Sequence, residues 1–331
     1  MRFALTPEQT GFATSLSDLL ARADSAKVAR SWAAGDTAPG LDLWSRLAEQ
    51  GVNALVVPEE AGGTGGTPVD LVVAFEVLGH RLAVGPWVES AAFLPALLGG
   101  AAPVGELAAG AVGTVTWAPV TPHALDADVA DHPFALIEDV LHEGSTGASH
   151  LSVDTTRRLF EVTPAEPVEI GGDLSRAADL AALACAAELL GCGERLLADT
   201  VAYARQRRQF GREIGSYQAI KHRLADVRIA LDFARPLIFG AALAHGSDTG
   251  SRDASAAKVA TSDAAYLASR VALQVHGAIG YTAELDLGLW IARVRALVGA
   301  WGTPAYHRAR VLDALTMVEE VALQPSRNQA G

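Results

Sequence analysis

The sequence predicts a mainly α (α+β) protein: an N-terminal helical domain, a small central β domain and a C-terminal antiparallel four-helix bundle. Three observations carry this. Apolar residues recur at helical spacing before residue 110 and again from Asp173 to about Leu323. Between Ala111 and Ile170 short apolar runs alternate with Pro, Asp, His and Gly, the texture of strands and turns. The 331 residues are 50% hydrophobic but only 6% aromatic, so the apolar content is mostly Ala, Leu and Val, which favours helices. The implied domains are residues 1–110, 111–172 and 173–323, followed by a polar, frayed tail over 324–331.

The first helix opens at Thr6-Pro7-Glu8-Gln9, with Thr as N-cap, Pro at the first helical position and Gln closing a capping box. Phe12, Leu16, Leu19 and Leu20 mark its apolar face. Asp42 to Gln50 forms a second helix, stopped at Gly51. The glycine-rich stretch Ala61 to Gly66 lacks a Gly-Lys-Ser/Thr and reads as a turn, not a phosphate loop. Val69 to Leu78, Val88 to Leu98 and Val104 to Ala109 are helical again. Val112 to Trp117, Phe134 to Glu138, Arg157 to Val162 and Pro167 to Ile170 read as strands. Beyond Asp173, Leu189 to Ala204 and Tyr217 to Leu231 carry apolar stripes. Ser251 to Val275, Leu285 to Val298 and Pro304 to Leu323 complete the bundle.

The formal net charge of -12 excludes a nucleic-acid or anionic-membrane partner as the first expectation. No run of some 20 apolar residues and no signal-like N-terminal segment is present, so a soluble cytoplasmic protein is expected. Cys185 and Cys192 stack on one helix face two turns apart, a spacing for buried side chains and not for a disulfide. His222, His276 and His307 lack ligand spacing, so no metal is expected.

Two segments carry chemistry. In Arg205 to Asp226, arginines crowd a turn beside Phe210-Gly211. Within an acidic chain this local positive cluster points to an anionic partner such as a cofactor pyrophosphate. The ordinary alternative is that Arg205, Arg207 and Arg208 fall in the last turn of a helix and meet its dipole. The second segment is Gln274 to Tyr281. Gln274 shares the apolar face of Leu267, so it needs buried hydrogen-bond partners. Gly277 frees backbone N–H groups for an anion, or simply caps its helix.

Together these segments resemble the acyl-CoA dehydrogenase family. The N-terminal half agrees, through Leu5-Thr-Pro-Glu-Gln9, Trp44 to Gly51, Val57-Pro-Glu-Glu-Ala-Gly-Gly63 and Phe75-Glu76 with Leu78-Gly79. The resemblance implies an FAD enzyme in which a carboxylate takes the α proton of an acyl-CoA and the flavin takes the β hydride. It also implies that Arg207 binds the pyrophosphate of a neighbouring subunit's FAD. Gln209 and Phe210 would lie beside the cofactor, and Gln274, Gly277 and Ala278 would form a second clamp. Ala278 replaces the family's second glycine. Arg205 and Arg208 remain helix-end charges.

The chain departs from the family at the catalytic base. Trp301 and Ala181 stand at the two positions where members carry it, so no catalytic residue is assigned. Trp301's bulk would block the chain's own acyl pocket. Glu188 is a candidate relocated base if buried and unpaired, and an internal ion pair otherwise. Asp179 lies two residues before Ala181, and Glu284 structures its own turn. The central domain lacks the flavin-holding segments of the family. These features imply a subunit that completes a partner's FAD site in an α2β2 hetero-oligomer with a base-bearing acyl-CoA dehydrogenase subunit. Such assemblies break down bulky acyl-CoA esters such as steroid side chains and pass electrons to an acceptor such as an electron-transfer flavoprotein. A self-sufficient homotetramer using Glu188 and a non-catalytic scaffold of the same fold are the alternatives.

Overall fold

A computed structural model describes residues 4–282 and 285–323. Glu284 and the tail over 324–331 lie outside the described residues.

Helix α1 (Pro7–Arg22) starts at the expected capping box: Gln9 N–H donates to Thr6 Oγ1 at 3.2 Å and Thr6 N–H to Gln9 Oε1 at 3.1 Å. The sequence reading missed α2 (Ser25–Ala33), a short helix capped by Asp24 that buries Trp32. Helix α3 (Ala38–Glu49) begins four residues earlier than expected, and α4 (Pro68–Arg81) opens on a second capping box, Thr67 with Asp70. Residues Glu89–Phe93 form one turn of π-helix that leads into α5 (Leu94–Leu98). Helix α6 (Val104–Ala108) closes the N-terminal part.

The central unit is a five-stranded mixed sheet in the order β1-β3-β4-β5-β2. Its strands are β1 (Gly113–Thr116), β2 (Ala124–Leu125), β3 (His132–Ile137), β4 (Val140–His150) and β5 (Leu159–Val168). Strands β1 and β3 run parallel, and the other pairs are antiparallel. Two expectations are corrected here. Pro167 to Ile170 is no separate strand, because β5 runs through Pro164 to Val168. The longest strand, β4, was not foreseen. Its run Glu-Gly-Ser-Thr-Gly-Ala-Ser carries turn residues, and pairing to β5 overrides that local preference.

Helix α7 (Leu174–Gln206) is the axis of the molecule and is buried along much of its length. It crosses α4 so closely that only glycine fits. A Cβ on Gly79 would lie 2.0 Å from Glu188 O, and one on Gly191 would lie 2.0 Å from Glu76 O. Helices α8 (Gln218–Ala244), α9 (Gly250–His276), α10 (Leu287–Gly299) and α11 (Pro304–Leu323) complete the C-terminal part. Cys185 and Cys192 are buried and free, as their spacing implies. No helix among the described residues is long and apolar enough to cross a membrane.

Candidate functional site

Helix α7 ends at Gln206, so of the three arginines only Arg205 lies in its last turn, a correction to the expectation. Arg207 turns extended (φ -71°, ψ 123°); its N–H donates to Tyr203 O at 2.8 Å, and its carbonyl accepts from Ile214 N–H at 2.8 Å. A miniature hairpin follows, β6 (Arg208–Gln209) and β7 (Arg212–Glu213). Phe210 (φ 50°) and Gly211 (φ 80°) both have positive φ, the pattern of a two-residue turn matched to strand twist. The Phe210 ring is 93% exposed at the tip. Tyr217 braces the base of the hairpin. Its hydroxyl donates to Gln209 O at 3.2 Å, and the Arg212 guanidinium lies 3.9 Å over its ring. Arg205, Arg207, Arg208 and Arg212 make no ion pair with any described residue.

The second segment lies against the first. His276, the last residue of α9, is buried and stacks on Tyr203 with ring centroids 4.2 Å apart. Its Nδ1–H donates to Ala272 O at 2.8 Å. Gln274 is exposed, contrary to the expected burial, and its Oε1 accepts from Arg223 of α8. Leu267, on whose face Gln274 lies, is itself exposed, so the stripe read through it is not the buried face of α9. Gly277 (φ 63°) donates its N–H to Leu273 O, so that N–H caps α9 and is not free for an anion. Nothing lies within 4 Å of a Cβ built on Gly277, so its surface is open to a ligand, and Ala278 beside it is exposed.

The two residues expected at base positions, Ala181 and Trp301, both lie in the interior. Ala181 is fully buried. Trp301 is buried, has φ 54°, and packs on Phe93 with 4.7 Å between centroids. Its Nε1–H donates to Glu89 Oε1 at 3.2 Å. A cavity of about 290 Å³ remains between the sheet and the end of α10, lined by Glu89, Thr121, Arg157 and Ala300 among others, but not by Trp301. The indole is held by Phe93 and Glu89 and does not line this cavity.

Glu188 takes the ion-pair course. Its Oε1 accepts from Arg293 Nη1 at 2.8 Å. Arg293 also donates through Nε to Asp154 Oδ2 at 2.6 Å, through Nη2 to Thr156 Oγ1 at 2.8 Å and through Nη1 to Ala83 O at 3.0 Å. Although burial opposes it, this guanidinium holds the Asp154 carboxyl below the usual range. Asp179 is likewise engaged, by Arg310 Nη2 at 2.6 Å.

Sequence reasoning missed Glu89, Arg157 and Arg293. Glu89 left a trace as a lone charge in the apolar run from Trp87 to Leu98. Burial pushes its carboxyl up, and the nearby Arg157 charge only partly opposes this.

Comparison with known proteins places this geometry. Family profiles match residues 6–101 (acyl-CoA dehydrogenase, N-terminal domain) and 174–316 (acyl-CoA dehydrogenase, C-terminal domain). "Acyl-CoA dehydrogenase IpdE2" of Mycolicibacterium smegmatis is 38% identical over 82% of this chain and 86% of its own length. The chain belongs to the acyl-CoA dehydrogenase family. The protein of the same name from Mycobacterium tuberculosis is 34% identical over 84% of this chain and 88% of its own length. The acyl-CoA dehydrogenase fold is shared with the "Tcur3481-Tcur3483 steroid ACAD G363A variant" (TM-score 0.82, 20% identity, covering 95% of this chain and 99% of that one). It is shared too with the ChsE4-ChsE5 complex of Mycobacterium tuberculosis (TM-score 0.76, 20% identity, covering 98% of this chain and 100% of that one).

As a member of this family the chain is an oxidoreductase whose cofactor is FAD. Its residues fit part of that group. The hairpin offers guanidinium groups without carboxylate partners for a pyrophosphate, an exposed planar ring, and beside them the open face of Gly277.

Proposed function

We propose that this chain is the subunit of a hetero-oligomeric acyl-CoA dehydrogenase that completes the FAD site of a base-bearing partner. The general activity, FAD-dependent dehydrogenation of an acyl-CoA, is that of the family. The observation that carries the finer reading is the contrast between two places in one chain. The hairpin from Arg207 to Glu213 presents unpaired cations and a bare aromatic ring outward, while both base positions are filled by Ala181 and Trp301.

In this reading Arg207 holds the pyrophosphate, Gln209 and Phe210 line the cofactor, and Gln274, Gly277 and Ala278 support it from the end of α9. The FAD accepts the substrate's β hydride when bound. The α proton goes to the partner's carboxylate. The chain's own part is to bind and orient, through charge-assisted hydrogen bonds and ring contact. An exposed apolar stripe on α8, Ile229, Phe233 and Leu237 at successive i+4 positions, supports a subunit contact. Relatives in fold include the ChsE4-ChsE5 complex, a pairing of two differently named chains. We further propose a cytoplasmic location for the complex, in keeping with the lack of a membrane-crossing helix among the described residues. Its substrate is a bulky acyl-CoA of the steroid side-chain kind, and its electrons pass to an acceptor such as an electron-transfer flavoprotein.

Glu188 as a base has no support, because Arg293 holds it in a buried pair. A pure scaffold would have no use for unpaired guanidinium groups on a braced hairpin. The test is flavin content. Purified alone, the chain should lose FAD; co-purified with a base-bearing homologue, it should retain it. Full FAD occupancy and robust turnover by the homomer would overturn this reading.

A further inference from the structure

The cavity between the sheet and α10 is built differently from the hairpin and belongs to this chain alone. Two of its lining residues stand out. Glu89 is 2% exposed; its Oε1 is held by Trp301, but its buried Oε2 has no hydrogen-bond partner among the described residues. Arg157 is 9% exposed, and its guanidinium makes no hydrogen bond or ion pair with any described residue. The acids that might pair with it are taken. Asp154 is held by Arg293 and Thr156, and Asp126 and Asp128 by Arg158. Glu89 itself is too far for an ion pair, although both residues line the same cavity.

Arg157 as a residue is nine-tenths removed from water, its guanidinium nitrogens are not sealed off, and its charge has no partner among the described residues. Its counterpart is therefore expected from outside, and a carboxylate is the group that matches its fork. The rest of the lining is largely apolar, with Val120, Leu125, Leu151 and Leu159 among the walls. At about 290 Å³ the space suits one small ring-sized body and is too small for a coenzyme A. We propose that this cavity binds the carboxylate of a small apolar acid, with Arg157 as the anion clamp. The proposal is independent of the assembly reading.

Isothermal titration calorimetry on the purified full chain, with its partner subunit if it requires one, tests this. The probes are cyclohexanecarboxylate and its neutral isostere cyclohexanecarboxamide. The acid should bind one per chain and at least tenfold more tightly than the amide. Arg157→Gln should reduce that affinity at least tenfold. Ala300→Phe, which fills the cavity from the end of α10, should abolish binding while leaving Arg157 in place. If Arg157→Gln does not fold, the acid-to-amide ratio and Ala300→Phe decide. The CoA monothioester of cyclohexane-1,4-dicarboxylate distinguishes a free acid from a carboxylated acyl end. Tighter binding of the thioester assigns the acyl end, and tighter binding of the free acid assigns a separate ligand. Equal affinity for acid and amide, acid binding unchanged in a folded Arg157→Gln chain, or no binding of any probe would overturn the proposal.

Discussion

The indole of Trp301 and the carboxylate of Glu89 are joined by a hydrogen bond of 3.2 Å in the interior of the protein. Trp301 stands in the turn after α10, and Glu89 on a π-helical turn of the N-terminal part. The turn bearing Trp301 is pinned as well. His307 Nε2–H donates to Trp301 O at 2.9 Å, and a Cβ on Gly302 would lie 2.6 Å from that nitrogen. Trp301→Phe keeps the contact with Phe93 but leaves both oxygens of Glu89 without a partner. The expected loss of stability is about 1–3 kcal/mol, measured by denaturant unfolding. An unchanged midpoint would show that the hydrogen bond contributes nothing.

Arg293 is the sole ion-pair partner of Glu188 and Asp154 among the described residues. Arg293→Met should therefore strand two buried carboxylates and cost about 3–5 kcal/mol, seen as a large drop in melting temperature. A variant melting within a degree or two of the parent would contradict this account of the core.

Arg207 projects from the hairpin without touching the core, so Arg207→Gln should leave the melting temperature of the chain unchanged. In the assembled enzyme it should lower FAD affinity at least tenfold, because one charge-assisted contact to a phosphate contributes about 1.5–3 kcal/mol. Flavin absorbance after gel filtration reads this directly. Retention equal to the parent would remove Arg207 from the clamp.

Phe233 is 74% exposed on α8. Phe233→Asp should disrupt the complex, measured by analytical ultracentrifugation, while the isolated chain keeps its helical circular dichroism. Assembly unaffected by the aspartate would place the subunit contact elsewhere.

His307 sets an acid limit. It is 1% exposed, and burial lowers its pKa from 6.5 to about 4, with Trp301 O opposing the shift. The folded pKa lies below the unfolded one, so the neutral ring favours the folded state above pH 6.5, and this contribution is lost as pH falls toward 4. The lost contribution is about 3 kcal/mol. The imidazole resonance of His307 should show no titration between pH 8 and 5, and His307→Gln should flatten the fall in stability over pH 6.5 to 4. A midpoint near 6.5 would refute it.

Much of the helical framework was legible because capping and periodicity are local. Thr6-Pro7 and Gln9 announce α1, and Pro304 announces α11. Strand β4 was not legible, since its glycines and serines are tolerated only by pairing with β5, the next strand, which the local run does not announce. Helix α2 was missed for a similar reason: Trp32 finds its place through Asp126, 94 residues away.

The functional residues divide in the same way. The arginine turn stands out because charge and glycine cluster within one short segment. Gln274 was misplaced because Leu267, an apolar residue on the same face, is itself exposed and does not mark the core. Glu89, Arg157 and Arg293 come from three separate parts of the chain, and only folding gathers them. Trp301 could be singled out from the sequence, but not where its indole goes.

The hairpin tip has one further consequence, for supply. While no second chain covers it, Phe210 holds an aromatic ring in water beside several uncompensated positive charges. Surplus copies would present this face to chaperones and proteases, so the usable amount of this protein should follow synthesis of its companion, and unequal gene dosage should be levelled by turnover.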